Sequence, residues 1–181
     1  MGPAPLRRPI LLALALAVAA TLGVVAVVGL TRPSPTPSAL IAKDQPAPNV
    51  AGTTLDGASF RLADLRGHPV ILNFWGPTCV PCRTEFPLLR SKLAEHAADG
   101  LVVVGILMDD PPDLALKFIA EQGATWATVN DPGGAIKAAY RVVARPQSYF
   151  IDRDGILRAI QIGEVRDVDF EHQYALISGG S

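Results

Sequence analysis

The apolar positions of this 181-residue chain form one long run near its start and several short runs after it. Residues 10–30 include only three residues outside the apolar set and carry no charge. As a helix, this stretch would be about 31 Å long at ~1.5 Å per residue, which is close to the hydrocarbon thickness of a bilayer. We therefore expect a transmembrane anchor at residues 10–30.

The charges around this run predict its orientation. Arg7 and Arg8 precede it, whereas the first acidic residue of the chain is Asp44. The positive-inside rule then places residues 1–9 in the cytoplasm and the rest of the chain on the extracytoplasmic, periplasmic side of the cell membrane. The alternative is a signal peptide cleaved after the small residues 17–19, which would make the protein secreted. Because the apolar run continues 11 residues past that point, we favour the uncleaved anchor.

A linker separates the expected anchor from the expected domain. Prolines alternate with small polar residues between positions 31 and 38, a composition typical of a stiff, extended spacer. We assign residues 31–43 to this linker and residues 44–181 to one folded domain, which is long enough to bury a sizeable core.

The apolar pattern of residues 44–181 predicts strands that alternate with helices. Residues 70–75 and 101–108 are short, nearly continuous apolar runs, as expected for strands that are buried on both faces. Pro81 and Pro112 suit the first turns of helices that follow them. The other predicted elements are a weak strand at 126–129, a short helix at 134–140, a hairpin of strands at 147–152 and 156–162, and a helix at 167–177. This order predicts an α/β fold with a mixed sheet covered on both faces.

Composition narrows the range of functions. Lys and Arg total 16 and Asp and Glu total 17, so the net charge of −1 gives no positive field for nucleic acid. The two cysteines are too few for a four-cysteine zinc site or a scaffold held by several disulfides.

The two cysteines form a Cys79-Val80-Pro81-Cys82 motif that follows a predicted buried strand and begins a helix. At a helix N-terminus, free backbone amides and the helix dipole favour a thiolate, so Cys79 is the expected nucleophile. Cys82 lies one turn further and can resolve a mixed disulfide by thiol–disulfide exchange. The alternatives are an inert disulfide or half of a zinc site. A disulfide across so short a loop stabilises little, and a zinc site would need two more ligands.

Five segments of the chain together resemble the TlpA/ResA/CcmG-like family of membrane-anchored, thioredoxin-like thiol–disulfide oxidoreductases. They are residues 47–50 with 55–57, 62–67, 70–75 with 79–87, 102–109, and 140–155. The resemblance implies a thioredoxin-like fold, a mixed central sheet flanked by helices, with an extra N-terminal β-hairpin and an insertion in the middle. It also implies a redox-active disulfide between the two cysteines and no other cofactor.

The same resemblance implies further site residues. Pro146 matches the cis proline that faces the cysteines, where exposed backbone would pair with an extended partner. We expect Arg145, Gln147, Thr78 and Trp75 to complete this docking surface, although Thr78 stands where the family usually has Trp, and Arg145 where it has a small or apolar residue. An arginine close to Cys79 would stabilise the thiolate and make the pair more oxidising. The alternative is a surface arginine paired with a carboxylate such as Asp152 or Glu164.

Glu85 matches an acidic residue that follows the second cysteine by three in many family members. On a helix it shares a face with Cys82, so a partly buried Glu85 would have a raised pKa and could exchange a proton with Cys82. The alternative is a solvated glutamate paired with Arg83 or Lys92. Asn73 lies where thioredoxin has a buried aspartate and cannot carry a proton, which leaves Glu85 as the acid near the cysteines.

These features predict an extracytoplasmic enzyme that exchanges disulfides with protein substrates, with reduction favoured over oxidation. Apo-cytochrome c before haem attachment is one such substrate, and a membrane thiol carrier would supply the electrons. Two other functions remain open. A peroxiredoxin-like peroxide reductase would carry Thr at the position of Gly76, and a copper-binding module would use wider cysteine spacing and a downstream His.

Overall fold

The computed structural model describes residues 41–179. The strands are β1 (Gln45–Pro46), β2 (Ala51–Thr53), β3 (Ser59–Arg61), β4 (Val70–Trp75), β5 (Val102–Leu107), β6 (Thr128–Asn130), β7 (Gln147–Ile151) and β8 (Ile156–Ile162). The α-helices are α1 (Val80–Glu95), α2 (Pro112–Gln122), α3 (Ala135–Ala139) and α4 (Asp167–Ser178), and a 3-10 helix spans Leu62–Leu65.

Six strands form one mixed sheet in the order β1-β8-β7-β4-β5-β6, and β2 and β3 form a separate hairpin. The central strand β4 pairs in parallel with β5 and antiparallel with β7. All six residues of β4 are buried, as the continuous apolar run predicts for a strand covered on both faces. The one polar residue in that run, Asn73, lies opposite Gly105 on β5 and Ser148 on β7.

Alternation along β4 divides the core between the two faces of the sheet. Ile71 and Trp75 belong to the cluster that contains the two cysteines, whereas Leu72 and Phe74 belong to the cluster on the other face. Side chains of a strand point to opposite faces in turn, so Asn73 shares the face of Ile71 and Trp75. The sheet therefore places this buried amide on the cysteine side.

The thioredoxin-like fold, with its mixed sheet and helices, is confirmed, and so is the extra hairpin, which is β2–β3. The predicted elements occur in the predicted order. The weak strand lies slightly later than expected, because three residues of β6 pair with β5 at Gly105 to Leu107. Strand β1 was missed: its two residues are exposed and carry no alternation, and pairing with β8 alone defines them.

The folded domain begins before the predicted boundary at residue 44, because Ile41 packs against the core cluster that contains Leu72 and Phe74. The predicted anchor at residues 10–30 and most of the predicted linker lie outside the described residues. None of the helices within residues 41–179 combines the length and the apolar character that a membrane crossing requires.

Candidate active site

Cys79 and Cys82 form a disulfide at the N-terminus of α1. Cys79 is the N-cap residue, and its sulfur accepts a hydrogen bond from the backbone N–H of Cys82 at 3.2 Å. Pro81 occupies the first turn, where its missing N–H leaves no helical bond unmade. Cys79 is 8% exposed and Cys82 is fully buried. Of the two cysteines, Cys79 alone has exposed surface, which suits the roles of nucleophile for Cys79 and resolver for Cys82.

Glu85 is buried one helical turn after Cys82, with 2% of its surface exposed. Its Oε1 accepts a hydrogen bond from Asn73 Nδ2 at 2.7 Å, and its Oε2 accepts one from the backbone N–H of Val165 at 2.9 Å. Burial raises the pKa of Glu85 to about 7, against the lowering effect of these two hydrogen bonds. The carboxyl can therefore gain or lose a proton near neutral pH.

The cations considered as partners of Glu85 lie elsewhere. Arg83 stacks over the Phe118 ring at 4.6 Å, and Lys92 pairs with Glu95, three residues further along α1, and with two carboxylates on α4. Within residues 41–179, Glu85 is buried and forms no salt bridge, which fits a proton-exchanging residue better than a solvated helix residue.

Asn73 holds Glu85 in place from the central strand. Its Nδ2 donates both to Glu85 and to Ser148 Oγ, the latter at 2.9 Å. Sequence reasoning found Asn73 but missed Ser148 and Val165, because their contribution depends on strand register and on a backbone N–H. The register that sets Asn73 opposite Ser148 was the one signal that could have found the serine.

The Arg145–Pro146 peptide bond is cis, as the resemblance implied. The Arg145 guanidinium donates from Nη1 to Asp110 Oδ2 at 2.9 Å and from Nη2 to Thr78 Oγ1 at 3.1 Å. Its carboxylate partner is thus Asp110 and neither of the two residues considered from the sequence. Asp152, one of those two, pairs with Arg158 at 2.6 Å.

Comparison with known proteins agrees with this geometry. Residues 44–160 match the AhpC/TSA family. The thiol-disulfide oxidoreductase ResA of Bacillus thuringiensis (strain Al Hakam) is 35% identical over 119 residues, which cover 65% of this chain and 68% of that protein. The thiol:disulfide interchange protein DsbE of Pseudomonas fluorescens biotype C is 34% identical over 144 residues, 79% of this chain and 78% of that one.

A solved structure gives the same result for the fold. A thiol:disulfide interchange protein DsbE from Chlorobium tepidum superposes with a TM-score of 0.71 at 32% identity, over 77% of this chain and 99% of that one. The chain belongs to the AhpC/TSA family and is a thiol–disulfide oxidoreductase of the ResA and DsbE type. Oxidoreductases of this type work through their own cysteines without a bound cofactor.

Three residues predicted for the docking surface of this oxidoreductase, Pro146, Gln147 and Trp75, are buried, and side-chain contacts account for the last two. Gln147 is fully buried, where it accepts from the backbone N–H of Val143 at 3.0 Å and donates to the Tyr149 hydroxyl at 2.6 Å. Trp75 is also fully buried and packs against Phe86 with ring centroids 4.6 Å apart. We therefore correct this expectation: hydrogen bonding and aromatic packing turn both side chains inward.

Exposed apolar side chains also lie near the motif and the cis proline along the chain. Val80, between the cysteines, is 73% exposed, and Val143, two residues before Arg145, is also exposed. A shallow pocket beside the Cys79 turn is lined by Thr78, Arg83 and Leu114, among others. Val80 and the pocket residue Thr78 adjoin Cys79 directly in the chain, so a protein that reaches Cys79 would meet them.

Proposed function

We propose that this oxidoreductase is a membrane-anchored, extracytoplasmic reductase of protein disulfides, with apo-cytochrome c before haem attachment among its substrates. The observation that carries the proposal is a slightly exposed Cys79 paired with a fully buried Cys82, one helical turn before a buried carboxyl whose pKa is about 7. Reduction is favoured over oxidation because thiols outside the cytoplasm tend to oxidise unless a protein keeps them reduced.

The reaction starts from the reduced pair. The Cys79 thiolate attacks one sulfur of the substrate disulfide, which forms a mixed disulfide and releases the other substrate sulfur as a thiolate. Ionised Glu85 accepts the proton of the Cys82 thiol, directly or through water, and the resulting thiolate attacks the sulfur of Cys79. The Cys79–Cys82 disulfide forms, and the second substrate sulfur leaves. Two electrons pass to the substrate, which becomes a dithiol after it takes up two protons.

A membrane thiol carrier would return the pair to the dithiol by the reverse exchange, at the cost of two thiols oxidised in the carrier. Pro146, with Arg145 and Thr78, would form the edge against which an extended substrate segment lies. The anchor at residues 10–30 would keep the domain on the periplasmic face of the membrane, where such carriers and haem attachment operate.

The decisive experiment is to trap the substrate. A Cys82→Ala variant produced in cells cannot resolve the mixed disulfide, so its partner stays attached to Cys79 and can be identified by mass spectrometry. Recovery of apo-cytochrome c or another extracytoplasmic protein supports the proposal. Capture of small thiols alone contradicts it, and the Cys79→Ala/Cys82→Ala chain gives the background of non-covalent binding.

The purified chain also separates this function from the two alternatives. A reductase accelerates reduction of insulin disulfides by dithiothreitol. Consumption of hydrogen peroxide with a dithiol donor, at a rate above that of insulin reduction, would favour a peroxide reductase. Tight binding of Cu(I) together with failure to reduce insulin would favour a copper-binding module. The N-terminal sequence of the mature protein distinguishes a retained anchor from a cleaved signal peptide.

A further inference from the structure

A second, nearly buried carboxylate lies at the site, on the loop after β5. The side chain of Asp110 is 7% exposed and pairs with Arg145, Nη1 to Oδ2, at 2.9 Å. It also accepts from Thr78, whose hydroxyl lies 2.7 Å from Oδ1 and whose backbone N–H lies 3.2 Å from Oδ2. Thr78 is bonded directly to Cys79, so this carboxylate holds the residue that precedes the nucleophile.

Asp110 and Arg145, here called the rim pair, join three separate loops around the disulfide. Arg145 adds a hydrogen bond from Nη1 to the Met108 carbonyl at 2.8 Å and one from Nη2 to Thr78 Oγ1 at 3.1 Å. The Thr78 hydroxyl thus donates to the carboxylate and accepts from the guanidinium. Both charges therefore lie within hydrogen-bond distance of the residue next to Cys79.

Gly76 leaves the space that the rim pair occupies. A Cβ at position 76 would lie 2.2 Å from Asp110 Oδ2 and 2.5 Å from Arg145 Nη1, too close for any side chain. The carbonyl of the same residue accepts the backbone N–H of Cys79 at 3.1 Å, which closes the turn that leads into α1. The turn that presents Cys79 therefore packs directly against the rim pair.

We propose that Asp110 is a positioning residue for thiol–disulfide exchange: it fixes the Cys79 turn and cancels the charge with which Arg145 would otherwise stabilise the Cys79 thiolate. An unpaired guanidinium beside Thr78 would favour the thiolate and hence the reduced protein, whereas an unpaired carboxylate would oppose it. Paired, the two charges have little net effect on the sulfur. The inference concerns the exchange chemistry and holds whichever protein substrate is served.

The test is a double-mutant cycle on the reduced full-length chain. The pH dependence of alkylation of Cys79 by iodoacetamide, located by peptide mass spectrometry, gives the acid dissociation constant of this thiol. We expect Asp110→Asn to increase that constant about fivefold and Arg145→Gln to decrease it by a similar factor, the order expected when one charge bonded to the neighbouring residue is left uncompensated. The double variant should lie within about twofold of the unaltered chain.

The redox equilibrium with glutathione should move the same way. In this equilibrium two glutathione thiols are oxidised to one glutathione disulfide while the Cys79–Cys82 disulfide becomes two thiols. Asp110→Asn should shift it toward the reduced protein and Arg145→Gln toward the oxidised protein. A tenfold change in this redox equilibrium constant corresponds to a change of about 30 mV in the reduction potential of the Cys79–Cys82 pair.

Asp109→Asn is the matched control, because it removes the same charge from the neighbouring position. Among the described residues, Asp109 pairs with Lys137 at 2.7 Å and forms no hydrogen bond or ion pair with Thr78 or Arg145, so its replacement should leave the dissociation constant unchanged. Shifts of the same sign in both single variants, or a double variant that keeps the shift of one single, would mean that the pair acts through packing alone and would overturn the proposal.

The outcome is independent of the proposed substrates. Alkylation and glutathione equilibration need no protein partner, so a failure to trap apo-cytochrome c leaves this test intact. If Asp110→Asn does not fold, as judged by circular dichroism, Arg145→Gln alone decides: an unchanged or increased dissociation constant overturns the proposal.

Discussion

Helix α1 carries two buried ionisable side chains seven residues apart, and their surroundings give them opposite behaviour. Among the described residues, Glu85 has two hydrogen-bond donors and no salt-bridge partner, and burial raises its pKa to about 7. Lys92 contacts the carboxylates of Glu95, Asp167 and Glu171. The hydrogen bond to Glu171 leads the effects that raise the pKa of Lys92, so its ammonium stays charged at any physiological pH.

The comparison shows that burial alone does not decide whether a group titrates. Both side chains are removed from water, and desolvation opposes the charged form of each. At Lys92, three carboxylates stabilise the charged form more than desolvation destabilises it. At Glu85, two neutral hydrogen-bond donors stabilise the charged form less than desolvation destabilises it. Lys92 therefore joins α1 to α4, and Glu85 is left able to move a proton beside Cys82.

The substitution with the largest expected effect is Glu85→Gln, which keeps the shape of the side chain and removes the titrating group. We expect resolution of the mixed disulfide by Cys82 to slow by about 100-fold at pH 8, the low end of the range for general acid–base catalysis. The unaltered chain should show a resolution rate that rises with pH through about 7, as Glu85 loses its proton and becomes a base. Stopped-flow resolution of a glutathione adduct on Cys79 measures both effects.

Formation of the adduct serves as the internal control for that variant. Cys79 attacks without help from Glu85, so the rate of adduct formation should change by less than about twofold. A Glu85→Gln chain that resolves its adduct at the original rate, with the inflection near pH 7 retained, would remove Glu85 from the mechanism.

The raised pKa of Glu85 also predicts how stability depends on pH. The folded protein holds a proton up to about pH 7 that the unfolded chain releases near the ordinary value of 4.5. Stability from this group is therefore complete below about 4.5 and is lost as the pH rises to about 7, by roughly 3 kcal/mol in total. Urea unfolding of the oxidised chain between pH 4.5 and 8 measures the slope. The Glu85→Gln chain should lack this contribution, and equal slopes in the two chains would contradict it.

Sequence patterns predicted the proton-transfer residue, Glu85, better than they predicted its surroundings. The motif and the helical spacing place Glu85 on the face of Cys82, and the continuous apolar run predicts that β4 is buried with Asn73 inside it. The hydrogen bonds from Asn73 and from the Val165 backbone depend on how β4 and the loop before α4 pack against α1. No local pattern encodes that packing, because Val165 lies 80 positions from Glu85.

Of the rim pair, Arg145 was predicted and Asp110 was not, again because the contact joins distant positions of the chain. Arg145 stood out because it precedes the proline of a recognisable motif. Its partner Asp110 is 35 positions away on another loop, in a chain with 17 acidic residues and no local signal to choose among them. Trp75 and Gln147 show a different error. Both were predicted to line the docking surface because they lie close to the motif or the cis proline along the chain, but both side chains are buried.

The other half of the comparison is tested by Lys92→Met, which removes the cation and keeps most of the apolar stem. We expect the free energy of unfolding to fall by about 1–2 kcal/mol, because three carboxylates lose their shared partner. The deficit should shrink in 1 M NaCl, since these carboxylates are largely exposed and their repulsion is screened. Insulin reduction should be unaffected, because Lys92 contacts neither cysteine.

Lys117→Met is the matched control for the cation. Lys117 is exposed and, within the part of the chain that the structure describes, pairs with Glu121 alone, at 4.0 Å, so its loss should change stability by no more than about 0.5 kcal/mol. Equal decreases in the free energy of unfolding for the two lysine variants would show that the ion pairs of Lys92 do not stabilise the packing of α1 against α4.

The smallest expected effect concerns the donor that keeps the pKa of Glu85 from rising further. Asn73→Ala removes the hydrogen bond to Oε1, which favours the ionised carboxylate, so the inflection in the resolution rate should move to higher pH by about one unit. Ser148→Ala removes the other acceptor of Asn73 and leaves the Glu85 contact in place, so it should move the inflection less. If both variants keep the inflection where it is, the Val165 backbone holds the carboxylate by itself. If Ser148→Ala moves it as far as Asn73→Ala, the serine fixes the amide, and the three side chains titrate as one hydrogen-bonded unit.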